Sequence, residues 1–180
     1  MSEATNNYDV LGIKGKSKEI TMGAQVITIT KIEPFPSDFY EVCIKVHYIP
    51  EGSSLELSQI IGGNFKRENG KIVSSGSAFT IINLFNAIGL IGFDSSGNLD
   101  VPAIENFFNS HSDNPLKVLG YLYPYESNGK TYTRLYKRML PANSSPALLT
   151  KIFNSDTYVK QGSSPKATNV NIEADYEVPF

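Results

Sequence analysis

The chain has 180 residues, of which 41% are hydrophobic and 19% charged, with a formal net charge of −2. This length fits one globular domain that buries roughly 70% of its extended-chain surface. The net charge alone argues against a nucleic-acid-binding protein. The single cysteine, Cys43, excludes an internal disulfide, and with His47 and His111 it gives no metal-ligand spacing, so no cofactor is expected.

Three regions are predicted from the distribution of polar and apolar residues. Residues 1–17 are polar and are expected to form a mobile arm, with a first edge strand as the alternative. Residues 18–158 are expected to form one domain, and residues 159–180 a flexible linker with an acidic tail. No apolar run reaches the ~20 residues of a membrane-spanning helix. The first residues also lack the apolar stretch of a signal peptide, so we expect a cytoplasmic protein.

Three β-strands are predicted in the first part of the chain. The pattern becomes β-like from Ile20, residues 40–48 alternate most clearly between apolar and polar side chains, and residues 55–61 form the third strand. A short hairpin follows around Asn69-Gly70 and carries Phe65, Lys66 and Arg67.

Helical periodicity then replaces strand alternation. Apolar residues recur at helical spacing over residues 78–88, and Asp100 is a suitable N-cap for a second helix with Pro102 in its first turn. Two strands return at residues 116–125 and 130–140. A short helix begins at Ser145-Pro146, and its inward side chains are expected to be Leu148, Leu149, Ile152 and Phe153.

This order predicts a mainly β protein. Five strands with one helical insertion between strands 3 and 4, a short C-terminal helix and a disordered acidic tail match an OB-fold-like five-stranded barrel. An α+β sandwich is the alternative.

The Asn128-Gly129 dipeptide predicts a tight hairpin, because both positions of its turn require positive φ. This turn pairs Tyr125 with Tyr132 and Tyr123 with Arg134. The residues placed together on one face are five tyrosines and three bases, namely Tyr121, Tyr123, Tyr125, Lys130, Tyr132, Arg134, Tyr136 and Arg138. The opposite face carries the core candidates Val118, Leu122, Leu135 and Met139.

Such a face is suited to single-stranded nucleic acid. Aromatic rings stack on unpaired bases for roughly 1–3 kcal/mol each, and basic side chains neutralise phosphates. No acidic residue lies between Glu126 and Asp156, so the local charge is positive although the total is not. Lys66 and Arg67 could extend the surface. The alternative is that the tyrosines pack beneath the helices.

The C-terminus combines three carboxylates, an aromatic ring and the terminal carboxylate. These features suit a basic, apolar-floored pocket on a partner, or the protein's own cationic groove. The residues predicted to bind partners are Glu173, Asp175, Tyr176, Glu177, Val178, Pro179 and Phe180.

Together, the hairpin and the ending Asp175-Tyr176-Glu177-Val178-Pro179-Phe180 resemble single-stranded DNA-binding proteins of the replication type. The resemblance implies an OB-fold that holds the strand, a tail that recruits replication or recombination proteins, and a phage-encoded source. The tip has fewer acidic residues than bacterial members, the linker is short, and tryptophan, a frequent stacking residue there, is absent.

The sequence predicts no catalytic site. Gly15-Lys16-Ser17 is similar to the end of a phosphate-binding loop, but Val10 stands where its first glycine is required. A protein of another class remains as the alternative function: a virion or assembly protein that uses the Tyr/Arg hairpin as a protein interface. Single-stranded RNA is an alternative ligand.

Overall fold

The computed structural model describes residues 20–156, so the predicted N-terminal arm and the acidic tail lie outside the described residues. The strands of the main sheet are β1 (Gly23–Pro34), β2 (Val42–Pro50), β3 (Leu57–Gly63), β6 (Leu116–Ser127), β7 (Lys130–Leu135) and β8 (Leu140–Pro141). A second, two-stranded sheet contains β4 (Lys66–Glu68) and β5 (Lys71–Ser74). The helices are α1 (Phe79–Ile88), α2 (Val101–Ser110) and α3 (Pro146–Ser155).

The protein is mainly β, as the sequence predicts. The hairpin at Asn69-Gly70 is confirmed, with φ values of 50° and 77° at its two turn residues. The second helix also begins as predicted, because the Asp100 carboxylate accepts a hydrogen bond from the Ala103 N–H at 3.1 Å. The predicted strand over residues 130–140 is too long: β7 ends at Leu135, and the short β8 pairs separately with β6.

The main sheet is antiparallel and has the strand order β3-β2-β1-β6-β7. Strand β1 changes its pairing partner along its length. It pairs with β6 from Gly23 to Ile29, opposite Leu116, and with β2 from Ile27 to Pro34. A register shift between Ile29 and Lys31 marks a β-bulge, which bends and twists the strand at this change of partner.

The two edge strands of this sheet, β3 and β7, are linked by a side chain. The Gln59 amide oxygen accepts a hydrogen bond from the Leu135 N–H at 2.8 Å, and its NH₂ group donates to the Leu135 carbonyl at 3.1 Å. Within residues 20–156, no backbone ladder joins β3 to β7, so the described sheet is strongly curved but is not a closed barrel.

Each face of the sheet has its own apolar cluster. The larger cluster fills the concave face beneath α1 and α2 and includes Ile27, Tyr48 and Phe85. The smaller cluster lies between the opposite face and α3, with Leu119, Tyr136 and Leu149 at its centre.

One inward residue of the C-terminal helix was predicted wrongly. Leu149 is fully buried, and Ile152 and Phe153 pack against the small cluster. Leu148, by contrast, is 49% exposed. A helix of three turns that packs on a sheet buries only one side, and Leu148 lies outside that stripe.

Candidate nucleic-acid interface

The β6–β7 hairpin has the predicted turn and register. Asn128 and Gly129 have φ values of 49° and 72°, as a type I′ turn requires. Tyr125 lies opposite Tyr132, and Tyr123 opposite Arg134. Beyond the ladder, the Tyr136 N–H donates to the Tyr121 carbonyl at 2.8 Å, which keeps these two residues together as predicted.

The core side of the hairpin is also confirmed. Val118, Leu122, Leu135 and Met139 each have an exposed fraction of 1% or less, and all four belong to the large cluster. The tyrosines and bases therefore lie on the opposite face. Whether that face meets solvent depends on what α3 covers.

Three of the predicted tyrosines pack against α3 rather than forming an open surface. Phe153 stacks on Tyr121 with ring centroids 3.9 Å apart and an interplanar angle of 15°. The same ring lies 5.4 Å from Tyr123 and meets Tyr136 edge to face at 5.2 Å. The expectation of an open row of rings is wrong for Tyr136, which is buried, whereas Tyr121 and Tyr123 pack against Phe153 and stay partly exposed. The apolar side of α3 needs an apolar surface, and tyrosine rings provide one.

Tyr136 is the most enclosed of the three, with 1% of its surface exposed. Its hydroxyl donates to the Asp156 carboxylate at 2.6 Å, and Lys137 Nζ lies 3.0 Å from the same carboxylate. Burial raises the pKa of the Tyr136 phenol far above its usual value, and the neighbouring Asp156 raises that pKa further. Tyr136 therefore joins the end of α3 to the hairpin and is a poor base-stacking platform.

Tyr125 and Arg134 form a second enclosed pair. The guanidinium carbon of Arg134 lies 3.8 Å from the centroid of the Tyr125 ring, a cation–π geometry. Only 8% of Arg134 and 6% of Tyr125 are exposed. The expectation that both project into solvent is wrong, since the guanidinium lies against the ring and both residues are almost completely buried.

The predicted residues that remain accessible lie around the turn and after β7. Lys130 and Arg138 are exposed, and Tyr132 is partly exposed with a ring that does not pack on Phe153, unlike the partly exposed Tyr121 and Tyr123. Outside the predicted set, Lys151 on α3 is exposed too. Of the five bases between Glu126 and Asp156, three thus present their charge at the surface, while Arg134 and Lys137 are engaged with Tyr125 and Asp156.

Lys66 and Arg67 differ in their surroundings. Lys66 is exposed on β4. The Arg67 guanidinium forms an ion pair with Glu41 and donates to the carbonyls of Gly70 and Ser96 at 3.2 and 3.1 Å. Arg67 is thus a structural link between the β1–β2 connection and the turn after α1, and its expected role in extending the hairpin surface is not supported by these contacts.

The sequence did not predict a polar cluster formed by one residue of β1, one of β2 and one just before β3. His47 lies between Glu33 and Glu56, with nitrogen-to-oxygen distances of 3.0 and 3.3 Å. Hydrogen bonds from Lys31 and His47 lower the pKa of Glu33 to about 2.

Burial raises the pKa of the Cys43 thiol to about 11, so this cysteine is a protonated packing residue at neutral pH.

In the part of the chain that the structure describes, no group of three or more His, Cys, Asp or Glu side chains could hold a metal ion. None of the helices within residues 20–156 has the length and apolarity needed to cross a membrane. Neither the protein-family models nor the curated proteins contain a match to this chain.

Proposed function

We propose that the protein binds single-stranded DNA through an OB-fold-like barrel, without strong sequence preference, and acts in replication or recombination. The observation that carries the proposal is the strand order β3-β2-β1-β6-β7, with helices between β3 and β6. This is the strand order of a five-stranded Greek-key barrel. The Gln59 bonds to Leu135 lie where the ladder of such a barrel would close.

In this proposal, the β6–β7 hairpin is the loop between the last two barrel strands, which commonly grips nucleic acid in OB-folds. Lys130 and Arg138 contact phosphates, and Tyr132 stacks on a base. Tyr121, Tyr123 and Tyr136 hold α3 in place and support the hairpin from beneath. The Tyr125–Arg134 pair fixes the guanidinium beside these groups and adds to the positive field.

The C-terminal tip is proposed to recruit replication or recombination proteins. Three carboxylates with Phe180 and the terminal carboxylate give it charge and an apolar anchor. The same negative charge would compete with DNA for the basic hairpin. Deletion of residues 171–180 is therefore expected to strengthen DNA binding and to weaken partner binding.

The deciding experiment is a fluorescence-anisotropy titration of the full chain with unstructured and duplex oligonucleotides of equal length at two salt concentrations. We expect stronger binding to the single strand and affinity that falls steeply as salt rises, because each neutralised phosphate releases counterions. Equal affinity for both forms, or affinity independent of salt, would contradict the proposal. An RNA strand of the same sequence tests the alternative ligand.

A protein-interaction role is the second candidate, favoured by two apolar side chains. Phe39 in the β1–β2 connection is 81% exposed, and Ile91 after α1 is 84% exposed. Exposed large apolar groups are typical anchors of protein interfaces. Under this alternative, Phe39→Ser and Ile91→Ser would abolish partner binding that hardly responds to salt, and no oligonucleotide would bind.

A further inference from the structure

A groove of about 1030 Å³ lies between the second half of β1 and α2. Its apolar lining includes Ile32 of β1, Ile104 and Phe108 of α2, and Leu116 at the start of β6. The proposed DNA-binding hairpin uses none of these residues.

One wall of the groove is a sheet edge. Strand β6 begins at Leu116, opposite Ile29, so the following residues of β1 are paired with β2 alone among the described strands. The Phe35 N–H donates to the Cys43 carbonyl at 2.9 Å, so the backbone N–H and C=O groups of Phe35 point towards β2. By antiparallel alternation, the N–H and C=O groups of Ile32 point the other way, into the groove. Such an edge is a template for an added strand.

The chain has a segment whose sequence fits this edge. From Val170 to Val178, apolar and polar residues alternate strictly. The apolar positions are Val170, Ile172, Ala174, Tyr176 and Val178, and the polar positions are Asn171, Glu173, Asp175 and Glu177. Alternation with β-branched and aromatic residues is typical of a strand with one buried face. Pro179 has no amide hydrogen and would end the pairing.

We propose that residues 170–178 bind in the groove of their own chain as an added strand along the open edge of β1. The apolar positions face Phe108 and Leu116, which line the groove and are only partly buried. The acidic positions lie on the opposite face, near Lys31 and Lys117. The side chain of Lys31 is 62% exposed and forms an ion pair with Glu33. Lys117 is exposed, and it lies on the face of β6 away from the core, because its neighbour Val118 is buried.

The connecting chain is long enough. Thirteen residues lie between Asp156 and Val170, and the 14 Cα-to-Cα steps can span up to about 46 Å. Ala24 lies beneath α3, and the distance along β1 from Ala24 to Ile32 is roughly 26 Å at the usual rise per residue. A docked tail withholds its acidic tip from partners. This docking does not require the protein to bind DNA.

The test uses the full chain with Tyr176→Trp, which supplies a unique reporter because the sequence contains no tryptophan. We expect a blue-shifted emission and at least a twofold reduction in acrylamide quenching relative to the same chain carrying Ile172→Asp. Asn171→Asp is the matched control. It adds the same charge one residue before Ile172, on the polar side of the segment, and should keep the tryptophan shielded.

Hydrogen exchange at the Ile32 amide locates the docked segment. Ile172→Asp should accelerate this exchange at least tenfold, and Asn171→Asp should leave it unchanged. A solvent-exposed tryptophan in the parent would overturn the proposal. A shielded tryptophan with unchanged Ile32 exchange would place the segment elsewhere and overturn it as well. Shielding that grows with protein concentration would assign the groove to the tail of a second copy instead.

Discussion

Gln59 in β3 binds both backbone groups of Leu135 in β7, across a separation of 76 residues in sequence. The glutamine side chain is 2% exposed and Leu135 is 1% exposed, so water cannot readily replace either bond. One amide side chain therefore stands in for a backbone ladder between the two edges of the sheet. We therefore expect the curvature of the sheet, and with it the position of the hairpin, to depend on this contact.

Gln59→Leu is expected to lower the free energy of unfolding by about 2–4 kcal/mol, because it leaves two buried backbone groups without partners. Urea denaturation followed by circular dichroism measures the loss. Asn106→Leu, an exposed substitution on α2, is the control and should change stability by less than about 0.5 kcal/mol. Equal stability of the two variants would mean that the link contributes little.

Phe153 is the second residue on which the hairpin's position depends, since its ring contacts Tyr121, Tyr123 and Tyr136. Because the ring is only partly buried, we expect Phe153→Ala to cost about 3 kcal/mol, at the lower end of the range for aromatic truncation. The measurement is again chemical denaturation. Leu148→Ala removes an exposed apolar side chain from the same helix, and a comparable loss in that control would contradict the importance of the tyrosine contacts.

Local features of the sequence predicted much of the fold. The Asn128-Gly129 dipeptide predicted the hairpin register correctly. A two-residue turn requires positive φ at both positions, and once the turn is placed, the pairing of the flanking residues follows. The Asp100 cap and the alternation within β2 are likewise short-range signals. Each depends on residues a few positions apart, so no knowledge of distant packing is needed.

Long-range contacts decided the rest. Alternation separates the two faces of β6 and β7, but it does not say which face a later helix covers. Tyrosine suits both an open surface and a packed one, so Tyr121 gave no signal of its packing on Phe153 and Tyr136 none of its burial. The role of Phe153 follows only from the docking of α3. The hydrogen bonds of Gln59 to Leu135 likewise could not be predicted from a single glutamine within a strand.

Stability at high pH tests the environment of Tyr136. Its pKa in the folded protein is raised above that in the unfolded chain by burial and by Asp156. The folded state therefore keeps the phenol proton after the unfolded state has lost it. This stabilisation is fully present below the unfolded pKa of about 10 and is lost as pH rises further.

Tyr136→Phe should consequently reduce the loss of stability above about pH 10 by up to about 1.4 kcal/mol per pH unit. Urea denaturation at a series of alkaline pH values measures this slope. Tyr132→Phe removes a hydroxyl from the same hairpin while leaving Tyr136 in place, and it should retain the wild-type slope. A slope unchanged by Tyr136→Phe would mean that Tyr136 ionises equally in both states.

The accessible residues of the hairpin give the sharpest test of the proposed DNA contacts. Lys130→Ala with Arg138→Ala removes two exposed charges and is expected to reduce the slope of log affinity against log salt by about 1.4 for a single strand. The reduction should be the same for every oligonucleotide sequence, because phosphate contacts carry no base information. Lys71→Ala with Lys117→Ala removes two exposed lysines outside the hairpin tip and keeps the net charge matched.

Tyr132→Ala separates stacking from charge. It should weaken single-strand binding by about 1–3 kcal/mol without altering the salt slope, because a ring that stacks on a base releases no counterion. Tyr132→Phe keeps the ring and should restore binding. If the Lys71/Lys117 pair lowers the salt slope as much as the Lys130/Arg138 pair, the attraction is a general property of the surface and the hairpin is not the binding site.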